Sequence, residues 1–190
     1  METPQRVPAG VFGGDLAARL ERWAADARVD EAARRRARER WLRRQAEEES
    51  TVAGVLADLL EAARPVTLHT RQGRRHHGEV RAVGADFVAL GTGHGSVLVA
   101  LWAVASVRTA PGGEGVLGDR DAAAPVLLAE VAAGLAADRE RVLVVTADGE
   151  AVVGTLVSVG RDVAVLHTRS EPPTSCYVPL GAVSEVLLDV

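Results

Sequence analysis

Two stretches of the chain repeat one another, and this duplication limits the possible folds more than any other feature of the sequence. The segment VTLHTRQGRRHHGEVRAVGADFVAL (residues 66–90) matches VLVVTADGEAVVGTLVSVGRDVAVL (residues 142–166) at a constant offset of 76. After three inserted residues, ALWAVASV (100–107) matches PLGAVSEV (179–186) at an offset of 79. A period of this size predicts two copies of one small structural unit.

Each copy has the pattern of a short helix followed by five strands. The segment TVAGVLADLLEAARP places apolar residues at helical spacing, with Ser50 or Thr51 as the N-cap and Pro65 as the stop signal. The β-branched runs PVTLHT, HHGEVRAVG, DFVALGT, SVLVAL and AVASVRT follow, separated by turns. They predict an antiparallel meander. Five short strands expose their edges unless the sheet curls, so we expect a bent, partly open barrel in each copy.

Two pairs of glycines recur in both copies. Gly73 and Gly149 fall in the first hairpin turn, where a positive φ is needed. Gly78 and Gly154 fall within the second strand, where a sharp bend favours a residue without Cβ. The shared glycines therefore belong to the fold.

This pattern resembles the Sm-like family, which includes the bacterial RNA chaperone Hfq: a helix, five bent strands, a glycine in the second strand and an aspartate before the third. The likeness covers roughly residues 52–109 and again 126–188. Where that family has a Tyr-Lys-His run before its last strand, this chain has Ala100, Leu101 and Trp102, and then Pro179, Leu180 and Gly181. The RNA contacts of the family therefore cannot be transferred to either copy. Two fused copies can instead pair through their edges as a pseudo-dimer, without a ring.

A long charged helix precedes the first copy. Residues 15–49 contain no Pro or Gly and are rich in Ala, Arg, Glu and Leu. Asp15 can cap its start, and a break with Asp30 as a second cap would give two helices. If the helix is continuous, Trp23 and Trp41 lie on one face, because 18 residues make five turns. The chain as a whole is similar to a group of uncharacterised actinobacterial proteins, some labelled "Fis family", although no helix-turn-helix pattern is present.

The sequence thus predicts an α+β, mainly β, fold: an N-terminal helical arm and two tandem Sm-like or SH3-like five-stranded barrels, each preceded by a short helix. The expected divisions are a disordered N-terminus (1–14), a helical arm (15–49), the first barrel (50–110), a linker (111–124) and the second barrel (125–190).

The composition argues against broad nucleic-acid binding. The net charge is −4, and only 3% of residues are aromatic. Counted from the sequence, residues 1–64 carry 12 Arg and 12 acids, residues 65–110 carry 5 and 2, and residues 111–190 carry 5 and 12. The three segments therefore have net charges of 0, +3 and −7. One cysteine, no signal-peptide pattern and no long apolar run lead us to expect a cytoplasmic protein without a membrane contact.

One basic cluster, RQGRRHHGEV (71–80), is not required by the fold, since its counterpart ADGEAVVGTL has no Arg or His. Its arginines could bind phosphate, but the cluster has no aromatic side chain on which a base could stack. The basic unit could instead orient packing against the acidic unit or a second copy. The candidate nucleic-acid residues are Arg71, Arg74, Arg75, His76 and His77 of this cluster, with Arg34, Arg35 and Arg38 of the arm.

No pattern points to catalysis, a metal site or a cofactor. His76 and His77 are neighbours in a strand and should point to opposite faces, so they cannot share one metal ion without a bulge. Cys176 and His167 flank one loop, but no orienting group or oxyanion hole accompanies them. The segment GTGHGS (91–96) is expected to be a loop between the third and fourth strands.

Two functions follow as hypotheses. The first is a non-enzymatic cytoplasmic binding or scaffold protein that assembles through its arm and barrel edges and recognises a protein or peptide. The alternative is a regulator that binds RNA or DNA through the arginine-rich part of the arm and the basic hairpin.

Overall fold

A computed structural model describes residues 13–111, 115–119, 124–170 and 172–188. The predicted α+β class, mostly β, is confirmed. Residues up to Gln45 form one compact unit, and the residues from Ala46 onward form the other. The predicted disorder of residues 1–14 falls almost entirely on residues 1–12, which lie outside the described part, as do residues 112–114 and 120–123 of the predicted linker.

The arm is one helix, α1, which runs from Gly13 to Glu49. The alternative with a second cap at Asp30 is therefore not adopted. Trp23 and Trp41 are both more than half exposed on α1. None of the helices in the described ranges has both the length and the apolar character that a membrane span requires.

The two copies of the duplicated unit are called repeat 1 and repeat 2 below. Each begins with a ten-residue helix: α2 (Val52–Glu61) in repeat 1 and α3 (Leu128–Ala137) in repeat 2. Thr51 is the N-cap of α2, because its side-chain oxygen accepts a hydrogen bond from the N–H of Gly54 at 2.9 Å. The N-cap prediction is therefore confirmed at the second of the two candidates.

Five strands follow each of the two short helices. Repeat 1 contains β1 Pro65–Thr70, β2 Arg75–Val83, β3 Phe87–Thr92, β4 Gly95–Ala100 and β5 Val104–Thr109. Repeat 2 contains β6 Arg141–Thr146, β7 Ala151–Val159, β8 Val163–Thr168, β9 Thr174–Pro179 and β10 Val183–Leu187. A single 3-10 turn precedes the last strand of each repeat, at Leu101–Ala103 and Leu180–Ala182.

The ten strands form one antiparallel sheet in the order β5-β1-β2-β3-β4-β10-β6-β7-β8-β9, and this sheet is not closed. The two repeats are joined by pairing of β4 with β10, which confirms the expectation that the linked units pair through their edges. The physical reason is that pairing satisfies the backbone N–H and C=O groups of two edges that would otherwise stay open.

Local geometry repeats along with the sequence. The register shifts between Val80 and Ala82 in the β2–β3 pair, and between Leu156 and Ser158 in the β7–β8 pair. Backbone bonds recur at the same offsets, for example from Leu101 N–H to Asp86 O and from Leu180 N–H to Asp162 O. The duplication read from the sequence is thus also a duplication of hydrogen bonds and bulges.

The two repeats share one hydrophobic core. Val, Leu and Phe side chains of the strands pack on α2 in repeat 1, and the corresponding side chains pack on α3 in repeat 2, in one continuous cluster. The start of α3 is also attached to repeat 1: the N–H of Leu128 donates to Asp86 Oδ1 at 2.7 Å, and the N–H of Ala85 donates to Val126 O. The core and this helix start therefore hold the repeats together in addition to the strand pairing.

Candidate functional site

The junction of the two repeats is built on the pair β4–β10. Its register places Glu185 opposite Val99, Val186 opposite Leu98 and Leu187 opposite Val97. Glu185 is fully buried, although it carries a carboxylate. A buried carboxylate needs charged or hydrogen-bonding partners to offset its desolvation.

The partners of Glu185 come from the basic hairpin of the other repeat. Its Oε2 accepts a hydrogen bond from Arg74 Nε at 2.9 Å and lies 2.8 Å from Nε2 of the buried His76. In the tautomer that suits the carboxylate, His76 Nε2 carries the proton and donates. One acidic side chain of repeat 2 therefore binds two basic side chains of repeat 1.

The pKa of Glu185 reflects this arrangement. Burial acts to raise the pKa, but hydrogen bonding, chiefly from His76, together with the charges of His76 and Arg74 outweighs it and holds the pKa below its ordinary value. The carboxylate is thus ionised in the folded protein at neutral pH. The junction is an ion pair across two repeats, placed within an apolar interface.

A groove of about 550 Å³ lies over this junction and is called the junction groove below. It is lined by the basic hairpin from Arg74 to His77, by residues 92–97 at and around the β3–β4 turn, and by Leu187 and Leu188 at the end of β10. The predicted loop over residues 91–96 is too long: β3 continues to Thr92 and β4 begins at Gly95, so the turn consists of Gly93 and His94 alone. Three elements that are far apart in sequence therefore form one concave surface.

The lining of the junction groove is cationic above an apolar floor. Arg75, His77 and His94 are exposed there, and none of the lining residues is acidic. Val97, Leu187 and Leu188 provide the apolar part of the surface. None of the lining residues is aromatic either. The groove therefore presents positive charge and aliphatic surface, without a platform for stacking a base.

The four basic residues of the hairpin that line the groove differ in the contacts they make. The Arg74 Nε and the His76 ring are engaged by Glu185. The ring of His77 is on the opposite face of β2 from His76, as predicted, and its Nδ1 lies 3.1 Å from Thr67 Oγ1. Arg75 is exposed in the groove, so its guanidinium group is accessible to a ligand.

The remaining predicted residues lie elsewhere. Arg71 is exposed in the turn between β1 and β2 and is not part of the groove lining. Arg34, Arg35 and Arg38 lie on α1, where Arg35 is 4.0 Å from Glu31 in an exposed i,i+4 pair. These three arginines belong to the first compact unit and the hairpin belongs to the second.

Sequence reasoning missed Glu185 as a site residue, although the suggestion that the basic hairpin packs against the acidic repeat is confirmed by its contacts. A signal was present: Glu185 is the one charged residue in the apolar run VSEVLL, at the position equivalent to Ser106. An isolated acid in an otherwise apolar strand indicates a specific buried partner. The partner itself could not be identified, because it lies more than 100 positions earlier.

The histidines and the cysteine considered for metal or nucleophile chemistry lie on several different strands. Within them, no three His, Cys, Asp or Glu side chains converge in an arrangement suited to a metal ion. Cys176 lies on β9 opposite Leu166, and His167 lies opposite Ser175 in the same pair of strands. His69 has its pKa lowered, first by burial and then by the charges of Arg108 and Arg75.

Comparisons with known proteins do not add an identity. No protein-family model matches this sequence, and no curated protein matches it at a significant level. The function therefore has to be inferred from the junction and the groove above it.

Proposed function

We propose that this chain is a non-enzymatic binding and scaffold protein, which receives an acidic protein segment in the junction groove and assembles through its free sheet edges. The observation that carries the proposal is the groove itself, which is cationic, has an aliphatic floor and is formed jointly by both repeats. Concave surfaces with a few convergent polar groups are the usual sites of specific binding.

An acidic segment suits the groove better than a nucleic acid does. Arg75 can pair with a carboxylate through two parallel N–H···O bonds, and the histidines add further donors. Leu187, Leu188 and Val97 can pack against an apolar side chain next to that carboxylate. Sites for single-stranded nucleic acid normally add aromatic platforms, which the groove lacks. In addition, part of the hairpin charge is already neutralised by Glu185.

The fold-level part of the proposal is that each repeat is an Sm-like unit. The support is the strand order within the sheet, in which the fifth strand of each repeat lies beside the first, with a helix before β1 and before β6. The bend glycines Gly78 and Gly154 lie where the pattern requires them. Two such units with their edges joined make a scaffold whose binding surface lies at the joint.

A binding titration tests the groove. Fluorescent acidic peptides with one or two Leu or Val residues are titrated against the full chain at two salt concentrations, beside single-stranded RNA and duplex DNA. The double variant Arg75→Ala/His77→Ala should weaken peptide binding about tenfold, because it removes the exposed donors while leaving the Glu185 contacts in place.

The matched control is Arg71→Ala. It removes the same charge from the same hairpin but outside the groove, so the peptide affinity should stay within about twofold of wild type. Equal losses for the two variants would mean that only general charge matters, and the groove would no longer be the site. Tight binding of RNA or DNA that falls steeply with salt, with no peptide binding, would overturn the proposal in favour of a nucleic-acid function.

A further inference from the structure

Two of the three tryptophans of this chain lie exposed on the arm helix α1. Trp23 is 71% exposed and Trp41 is 62% exposed. They share one face of the helix, because the 18 residues between them make five turns. Leu20, about one turn before Trp23, is 56% exposed. Large apolar side chains aligned in this way indicate a surface that a partner covers.

The two tryptophans are the ends of a regular row of side chains, called the arm seam below. Its six residues are spaced alternately four and three apart: Trp23, Ala27, Asp30, Arg34, Ala37 and Trp41. This spacing keeps a narrow strip of side chains on one side of a helix, and it is the spacing by which two helices pack along their length. The arm seam therefore has the geometry of a helix–helix contact.

The charged residues at the centre of the arm seam decide the direction of the partner helix. In a parallel pair each seam residue meets its own copy, which would place Asp30 beside Asp30 and Arg34 beside Arg34 at the most buried positions. Like charges there are strongly unfavourable. In an antiparallel pair centred on residue 32, Asp30 of each copy faces Arg34 of the other. Charge therefore favours the antiparallel pair.

The same centre also matches the apolar residues of the arm seam. It places Ala27 opposite Ala37 of the other copy, and Trp23 opposite Trp41. The small alanines beside the tryptophans let the helices approach while the large rings lie across the partner. The four tryptophans of such a dimer bury about 600–1,000 Å², roughly half of the area of a stable interface.

Charge is distributed along the whole arm in the way that an antiparallel pair requires. Counted from the sequence, residues 15–31 carry five acids and three Arg, whereas residues 33–46 carry seven Arg and one acid. The two halves of the helix therefore have net charges of −2 and +6. An antiparallel pair places the acidic half of each copy along the basic half of the other, and a parallel pair places the basic halves together.

We propose that α1 binds α1 of a second copy of this chain as an antiparallel helix pair, with the arm seam at its centre and Asp30 bound to Arg34 of the second copy. This contact goes beyond the groove and the sheet edges of the proposed function and depends on neither. It uses each arm surface once, so the contact closes as a two-fold dimer.

Introduced cysteines test the direction and the register of the pair. All variants carry Cys176→Ser, which removes the one native thiol. A mixture of Ala27→Cys and Ala37→Cys should form a disulfide-linked dimer under air oxidation, on non-reducing gels, since the two positions face each other.

Each cysteine variant alone is the matched control. Residue 27 and its own copy lie about 15 Å apart along an antiparallel pair, so each variant alone should cross-link at least about fivefold more slowly than the mixture. A parallel pair would give the reverse result, with fast cross-linking of each variant alone. That result, or equal rates in all three samples, would overturn the proposal.

A charge exchange tests the contact between Asp30 and Arg34. Asp30→Arg should raise the dimer dissociation constant of the full chain about tenfold, because arginine then faces arginine twice. The double variant Asp30→Arg/Arg34→Asp restores opposite charges and should return the constant to within about threefold of wild type. Both side chains are exposed in the single chain, so neither change removes a core contact. Failure of the double variant to recover would overturn the pairing.

The mass of the full chain in solution tests the role of the tryptophans. Light scattering should detect a species of twice 19.9 kDa that increases with concentration. Trp23→Ser should weaken this dimer at least about tenfold, because it removes two buried rings from the dimer.

Val29→Ser is the control for the tryptophan variant. Val29 is 67% exposed but lies on the opposite side of α1 from Ala27, so its loss should change the dissociation constant by less than about twofold. A monomer at every concentration, or equal effects of Trp23→Ser and Val29→Ser, would overturn the proposal. Peptide titration of the same samples separates this failure from failure of the groove.

Discussion

At the scale of single residues, four glycines stand at positions where another residue would clash or be strained. A Cβ on Gly78 would lie 2.1 Å from the backbone oxygen of Gly91, and one on Gly154 would lie 2.8 Å from that of His167. Gly73 and Gly149 adopt φ values of 78° and 88° in their turns. Both roles were predicted from the repeat, since turns and bends depend mainly on neighbouring residues.

Gly78→Ala should therefore lower the free energy of unfolding by about 3 kcal/mol, because the clash is with backbone and not with a flexible side chain. Gly134→Ala is the matched control: it lies exposed in α3 with open space around it, and should stabilise the protein by about 1 kcal/mol. Urea unfolding followed by circular dichroism measures both changes. Equal destabilisation by the two variants would contradict the bend assignment.

At the scale of elements, the sequence predicted where the short helices lie better than it predicted which residues cap their N-termini. The period of apolar residues indicates α2, and Thr51 caps it locally. The start of α3 is different, because its Leu128 N–H is bound by Asp86, which lies 42 residues earlier in repeat 1. A cap supplied from so far away has no local sequence signal, so it could be found only from the structure.

Asp86→Ala should cost about 1 kcal/mol of stability, the usual effect of removing a helix cap. The control is Asp162→Ala, which removes the equivalent carboxylate of repeat 2, where the described chain has no following helix to cap. Thermal and urea unfolding compare the two variants. A loss for Asp162→Ala as large as that for Asp86→Ala would indicate a role in the turn before β3 and β8 and not in capping α3.

At the scale of the whole molecule, Glu185 makes the joint between the repeats depend on pH. Its pKa is lowered in the folded state, so the native protein binds protons less readily than the unfolded chain. The associated stability is fully present above the ordinary glutamate value of 4.5 and is lost as the pH falls through the lowered folded value. The joint is therefore expected to weaken in acid.

Glu185→Gln should reduce the free energy of unfolding by about 2 kcal/mol at neutral pH, since the hydrogen bonds to a charged acceptor are lost. The difference from wild type should shrink as the pH falls below 4.5. Urea unfolding between pH 7 and about pH 3 measures this, with the exposed Glu150→Gln as control. A difference that is constant with pH would show that the charge of Glu185 does not stabilise the joint.

The sequence by itself determined the duplication, the strands and helices of each repeat, the turn and bend glycines and the basic hairpin. These features depend on local periodicity and local backbone geometry, which neighbouring residues set. Only the tertiary structure decided that β4 pairs with β10, that Glu185 binds Arg74 and His76, and that a groove lies above them. Those contacts join residues about 90 to 110 positions apart, and they depend on which edges meet. Which edges pair depends on how well two strands that are far apart in the sequence fit each other. The local sequence of either strand does not reveal that fit.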